Sequence, residues 1–161
     1  MSPDGALEPR SLGLADAERM ADVHQLAFPP DEAWGQDAFE SLLKLESVHA
    51  LGLERAERLV SILLVQTAAD QAEILTLATD PAARRKGHAQ TLLGFAAQKL
   101  SEAGVETWLL DVAADNRDAI TFYEKVGFTR DGLRPRYYKR LEGAHVDAIL
   151  MSMPMGGQTI R

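Results

Sequence analysis

Between Ala72 and Gly127 the chain alternates strand and helix, the order of an α/β sheet. Ala72–Thr79 reads as a strand, and Pro81 closes it. The helix that follows carries Ala89, Leu92, Leu93, Ala96, Leu100 and Ala103 on one stripe, with Gly104 placed to end it. Glu106–Ala113 reads as a buried strand. Asn116 then caps a second helix, whose stripe is Ala119, Ile120 and Tyr123 and whose terminator is Gly127. Strand, helix and strand in this order make a crossover unit, which places both strands in one sheet with helices packed on it.

The flanking segments extend that sheet. Leu12 and Leu14 suggest a short strand. Asp16 offers an N-cap to a helix carrying Met20, Val23 and Ala27, which Phe28-Pro29-Pro30 stops. Asp37–Leu45 reads as a short second helix with Phe39, Leu42 and Leu43 on one face. Val48–Leu53 and Leu59–Thr67 are strands joined by the charged turn Glu54–Arg58, and Leu59–Val65 is apolar enough for a central strand. Phe128–Tyr138 and Val146–Met153 are the last two strands. The whole predicts a mixed α/β sheet of about seven strands with about four helices on its two faces. The 161 residues fit one domain, read as 11–155, between a flexible arm at 1–10 and a flexible tail at 156–161.

Composition excludes several function classes. Cysteine is absent, which removes disulfides, thiol nucleophiles and thiolate zinc sites. Asp and Glu number 24 against 17 Lys and Arg, a net charge of −7. That balance argues against binding nucleic acid or an anionic membrane and favours a cationic substrate. No apolar run approaches the roughly 18 residues of a membrane span. The polar start Met1–Arg10 lacks the apolar core of a secretion signal, so a cytoplasmic protein is expected.

The segment Thr79-Asp80-Pro81-Ala82-Ala83-Arg84-Arg85-Lys86-Gly87-His88-Ala89 joins the first crossover strand to its helix. A helix start offers free backbone N–H groups and the positive end of the dipole, a ready anion site. Gly87 and Ala89 would let a pyrophosphate approach the backbone, and Arg84, Arg85, Lys86 and His88 add local positive charge. An ordinary solvated basic loop is the alternative. Neither a Walker loop nor Gly-x-Gly-x-x-Gly is present.

The loop resembles the Arg/Gln-x-x-Gly-x-Gly/Ala loop of the GNAT superfamily of N-acetyltransferases, which holds the pyrophosphate of acetyl-CoA. Arg84, Gly87 and Ala89 stand at its first, fourth and sixth positions. Trp108–Asn116 with Ala119–Phe128 resembles the second signature of that family, L-x-V-x-x-x-N-x-x-A-I-x-x-Y-x-x-x-G-F. With Ile74–Pro81, Tyr137-Tyr138 and Asp147–Met151 the chain is similar to the RimI branch, the bacterial ribosomal-protein alanine N-acetyltransferases. The resemblance runs from Ala72 to Pro154.

The resemblance implies a GNAT fold splayed between its fourth and fifth strands, with acetyl-CoA as acetyl donor and no metal. Leu77, Ala78, Thr79 and Asn116 would hold the pantetheine arm, and Arg84, Arg85, Lys86, Gly87, His88 and Ala89 the pyrophosphate. Tyr123 would stand near the thioester sulfur as the acid. Asp111 replaces the glutamate proposed as general base in the family, and its side chain is shorter by one methylene, about 1.5 Å. Direct base, water-relayed base and ordering residue are all open roles for it.

Tyr137, Tyr138 and Trp34 are candidates to line the acceptor channel. Neighbours on a regular strand face opposite ways, so only one of the tyrosines would do so there. Half-buried strand tyrosines and an aromatic plug at Trp34 are the plain alternatives. His24, His49, His88 and His145 show no metal spacing and read as surface or capping residues. The implied acceptor is the N-terminal alanine α-amine of a basic ribosomal protein, met by a monomer or weak dimer without direct contact to nucleic acid or membrane. Two alternatives stay open: a small-molecule amine as acceptor, and a catalytically silent acyl-CoA-binding module. Tyr123 and Asn116 argue against silence.

Overall fold

The computed structural model describes residues 7–155. The chain enters through β1 (Arg10–Ser11), a 3-10 turn at Leu14–Asp16, α1 (Ala17–Ala27) and α2 (Gln36–Leu43). A meander follows of β2 (Val48–Arg55), β3 (Arg58–Ala68) and β4 (Gln71–Thr79). A 3-10 turn at Pro81–Ala83 leads into α3 (His88–Glu102), β5 (Thr107–Ala113), α4 (Arg117–Val126), β6 (Thr129–Lys139) and β7 (His145–Pro154). The seven strands form one sheet in the order β1-β2-β3-β4-β5-β7-β6. Only β4 and β5 pair in parallel; the rest are antiparallel. The expected mixed sheet with four α-helices is therefore the observed one.

Alternation along the strands builds two cores, one on each face. Leu63, Val65, Ile74, Trp108, Leu110 and Val112 pack with Leu92, Leu93 and Ala96 of α3 and with Ile120 and Tyr123 of α4. On the opposite face Ile62, Leu64 and Ala78 pack with Met20 and Val23 of α1 and Phe39 of α2. β3 is central, as its run of buried residues at 61–65 requires. α4 stops where Gly127 takes φ +123°, and a Cβ there would lie 2.8 Å from Met153 Sδ.

The entrance departs from expectation. The first strand is Arg10–Ser11, with Leu12 N–H donating to Ala50 O at 2.9 Å, while Leu14 begins a 3-10 turn. Asp16 precedes α1, but its side chain does not cap it. The carboxylate instead accepts from Gly13 N–H at 2.8 Å and from Arg10 and Arg19, whose guanidiniums also engage Glu54. These cations hold Asp16 and Glu54 below the usual carboxylate range. Arg10, read as part of a loose arm, is thus the last rung of the sheet. The expected arm residues 1–6 and the tail 156–161 lie outside the described residues.

The feature that places the site is the divergence of β4 from β5. Their pairing covers only Gln71–Ile74 against Thr107–Leu110. Just there the β3–β4 register jumps from Leu64↔Thr76 to Val65↔Ile74, leaving Leu75 as a bulged residue. A bulge bends its strand and sharpens the local twist, so β4 swings away from β5 at that residue. β5 stays paired with β7 as far as Ala113, and β4 stays paired with β3 as far as Thr79. The facing edges of the two strands beyond Ile74 and Leu110 therefore have no strand partner.

Candidate active site

A groove of about 1250 Å³ follows this split. Its walls include the free half of β4 with Leu77, Ala78 and Thr79, the end of β5 with Asp111, and the starts of α3 and α4. Backbone hydrogen-bonding groups on the open edge of β4 can serve a ligand laid along it as a further strand would.

The end of the groove at α3 is built by backbone conformation. Asp80 Oδ1 accepts from Ala82 N–H at 2.9 Å, and buried Ala83 anchors the turn. Arg84 has φ −69°, Arg85 +65° and Gly87 +79°, with Lys86 negative between them. Alternating signs of this kind form a nest of N–H groups that converge on an anion. No side chain caps α3, so its first N–H groups remain available. A Cβ on Gly87 would meet only Gln90 Oε1, at 3.9 Å. The glycine therefore serves its positive φ and leaves open space above the backbone, and packing of the chain does not require it.

Arg84, Arg85, Gly87, His88 and Ala89 line the groove; Lys86 is exposed and lies outside it. His88 does not supply the expected positive charge. Its side chain is buried, with Nε2 unpartnered. Burial first, then Arg55 and Lys86, lower its pKa, so it adds no charge at neutral pH.

Asn116 stands at the start of α4 and Tyr123 lies about two turns further along it, and both line the groove. Asn116 Oδ1 accepts from Ala119 N–H at 3.2 Å, the predicted cap, and the residue also lines the groove. Tyr123 is buried between Phe122 and Phe128, at ring distances of 5.4 and 5.5 Å. No described residue hydrogen-bonds its hydroxyl. Burial, and then Tyr138, push its pKa above the normal phenol value, so the oxygen stays protonated. Asp111 lines the groove from β5, 3.8 Å from Arg134 of β6. Glu73, on the same face as Asp111 by the β4–β5 register, has its pKa raised by burial and by Asp111, against the pull of Arg134.

The two tyrosines separate, though not by simple alternation. Between Arg134↔Ala148 and Tyr138↔Val146, β6 takes four steps against two on β7. Arg136 absorbs the excess with φ +55°, and its N–H donates to Asp147 Oδ1 at 2.8 Å. Tyr138 lines the groove, and burial followed by Asp111 pushes its pKa up to about 12. Tyr137 stays outside, 53% exposed, edge-on to Tyr138 at 5.0 Å and under Arg134. Trp34 lines the groove and packs into the α1 core, so channel wall and plug are both true of it.

Two elements of this wall escaped the sequence reading. Arg140, only 11% exposed, makes a bidentate pair with Asp115 at 2.6 and 3.2 Å and lies 3.3 Å from Glu32. It ties the β6–β7 turn to the α1–α2 loop and to the approach to α4. His24 is buried rather than surface-exposed. Its Nε2 lies 2.9 Å from Thr76 Oγ1, and its Nδ1 accepts from Trp34 N–H at 3.0 Å. His49 and His145 are exposed. Among the described residues no acidic or histidine cluster could hold a metal ion, and no helix is long and apolar enough to cross a membrane.

Known proteins resemble the chain in sequence and in fold. The chain is 37% identical over 145 residues, 88% of its length, to the uncharacterized protein ML0378 of Mycobacterium leprae, and it spans 39% of that protein. It is 34% identical over 156 residues to the N-alpha-acetyltransferase RimI of Mycobacterium tuberculosis, covering 92% of this chain and 95% of that one. The crystal structure of the ribosomal-protein-S18-alanine N-acetyltransferase from Escherichia coli superposes with a TM-score of 0.84 at 28% identity, over 97% of this chain and 99% of that one. The family model of the GNAT acetyltransferases matches residues 17–128. On its sequence and its split sheet alike, the chain belongs to the GNAT acetyltransferase family.

Proposed function

We propose that the chain transfers the acetyl group of acetyl-CoA to the N-terminal α-amine of a basic protein, an alanine-initiated ribosomal protein in the first instance. The observation that carries this reading is one groove holding three things: a nest at the start of α3, an unpartnered strand edge, and a protonated tyrosine with a free hydroxyl. The groove fits the donor. The nest suits a pyrophosphate, the open edge of β4 suits the amides of the pantetheine arm, and Gly87 leaves room above the backbone.

Acetyl-CoA supplies an acyl group already activated as a thioester. The chain aligns and moves protons. Holding two reactants in one groove contributes roughly 7–11 kcal/mol. A backbone N–H of the open edge of β4 meets the negative charge that develops on the acyl oxygen. Tyr123 O–H gives its proton to the departing thiolate. Asp111 takes the proton released by the amine, directly or through one water, with Arg134 orienting its carboxylate.

The acceptor class follows from charge and amine chemistry. An α-amine with a pKa near 7.7–8.0 is about one-tenth neutral at pH 7, whereas a lysine amine near 10.4 is neutral about once in 2,500 molecules. A site whose base is a short carboxylate favours the amine that needs less deprotonation. Asp31, Asp118 and Glu142 line the groove and suit cationic residues after the first. The names borne by the Mycobacterium tuberculosis and Escherichia coli relatives support an N-terminal alanine acceptor.

The test is turnover with acetyl-CoA of three acceptors: an Ala-initiated cationic peptide, the same peptide with its α-amine blocked, and a polyamine. Acetylation of the first alone, on its α-amine by tandem mass spectrometry, is expected. An acetyl group on lysine, or turnover of the polyamine alone, would establish the small-amine or side-chain reading instead.

A further inference from the structure

His24 lies on α1 with 0% of its surface exposed, yet both of its ring nitrogens are engaged. Trp34 N–H donates to Nδ1, so Nδ1 carries no proton. Burial lowers the pKa of the ring to about 4, so it is neutral at pH 7 and its one proton sits on Nε2. Nε2–H therefore donates to Thr76 Oγ1 at 2.9 Å. Thr76 is thus fixed as an acceptor toward His24, and its own hydroxyl proton must point elsewhere. No described residue takes it.

The position of Thr76 says where that proton goes. Thr76 follows the bulged Leu75, on the part of β4 that has left β5, and it lines the groove. It shares its face with Ala78, opposite Leu64 and Ile62, the face covered by α1 and by the loop that carries Trp34, Glu32 and Asp31. An acceptor enters on that side if the donor occupies the open edge of β4. The polar oxygen nearest the α-amine of a peptide is its first main-chain carbonyl.

We propose that Thr76 is an acceptor-positioning residue whose hydroxyl donates to the first carbonyl of the incoming peptide, with His24 setting the direction of that proton and fastening the Trp34 loop. The inference rests on the peptide-acceptor reading above. It assigns the relay two separable parts, a contact to substrate through Thr76 and a structural tie through Trp34 N–H.

The experiment compares the wild-type chain with Thr76→Val and Thr76→Ser on an Ala-initiated cationic peptide. Each is also assayed with the same peptide carrying a thioamide in place of its first carbonyl. Thr76→Val is expected to raise the peptide KM roughly fivefold, the scale of one neutral hydrogen bond. It should leave the acetyl-CoA Kd unchanged, and Thr76→Ser should restore the wild-type KM. The thioamide should raise KM for the wild type and add nothing in Thr76→Val. An unchanged KM in Thr76→Val, an equal thioamide penalty in both proteins, or loss of acetyl-CoA binding in Thr76→Val would each overturn the assignment. Those outcomes leave the peptide reading intact as long as the wild type acetylates the peptide. A wild type that acetylates only small amines would overturn both.

Discussion

The burial of Tyr123 was legible from local pattern, while its place near a thioester is what the GNAT resemblance implies. The residue sits on the apolar stripe of α4 and four residues before the glycine that ends the helix, so it is both buried and fixed in direction. Burial raises its pKa, which keeps the phenol protonated at neutral pH, so Tyr123 enters any reaction as O–H and not as phenolate. Tyr123→Phe is expected to lower kcat by about 10²-fold while acetyl-CoA affinity stays near wild type; unchanged kcat would return Tyr123 to a packing role against Phe122 and Phe128. His24 was not legible, because its partners lie 10 and 52 residues away and no local pattern announces them. Its burial has a thermodynamic signature. The folded ring titrates near 4 and the unfolded one near 6.5, so between these values the unfolded chain binds more protons. Stability is full above pH 6.5 and falls as the pH drops toward 4, by up to roughly 3 kcal/mol. Unfolding measured at pH 7 and pH 4.5 should show a smaller difference in His24→Asn than in the wild type; an equal difference would mean that His24 is not buried as a neutral ring.

At the scale of elements, the sequence shows what a periodic pattern can show and misses what register decides. The α3 stripe, the Asn116 cap and the β4-α3-β5 crossover all follow from residues close together in the chain. The bulge at Leu75 and the excess residues around Arg136 do not, since each arises from how a strand pairs with its neighbour and not from the composition of the strand. That is why the choice between Tyr137 and Tyr138 needed the structure. Tyr138 faces the groove and Tyr137 faces solvent. Tyr138→Ala should raise the peptide KM roughly tenfold, as loss of a contacting aromatic does, and Tyr137→Ala should have the smaller effect. The reverse order in steady-state kinetics would mean that the peptide runs over the outer face of β6.

The whole molecule sets the long-range field. Net charge is −7, while the loop before α3 concentrates Arg84, Arg85 and Lys86. Under the proposed function an anionic donor and a cationic acceptor would be drawn to different parts of one groove, whose wall carries Asp31, Asp118 and Glu142. Screening shortens from about 10 Å at 0.1 M salt to about 3 Å at 1 M. The peptide kcat/KM should therefore fall several-fold across that range, while an uncharged Ala-initiated peptide should be little affected; equal salt responses would assign no steering to these carboxylates. The division of the groove into a donor end and an acceptor end rests above all on the nest at the start of α3. Calorimetric titration of acetyl-CoA into the wild type, Gly87→Ala and Gly87→Glu tests it directly. Both substitutions carry the same strain at φ +79°, roughly 1–2 kcal/mol, and only the glutamate sets a charge against the pyrophosphate. Binding that persists in Gly87→Ala and is abolished in Gly87→Glu is the expected result; affinity in Gly87→Glu equal to the wild type would contradict the assignment of this loop and with it the donor end of the groove.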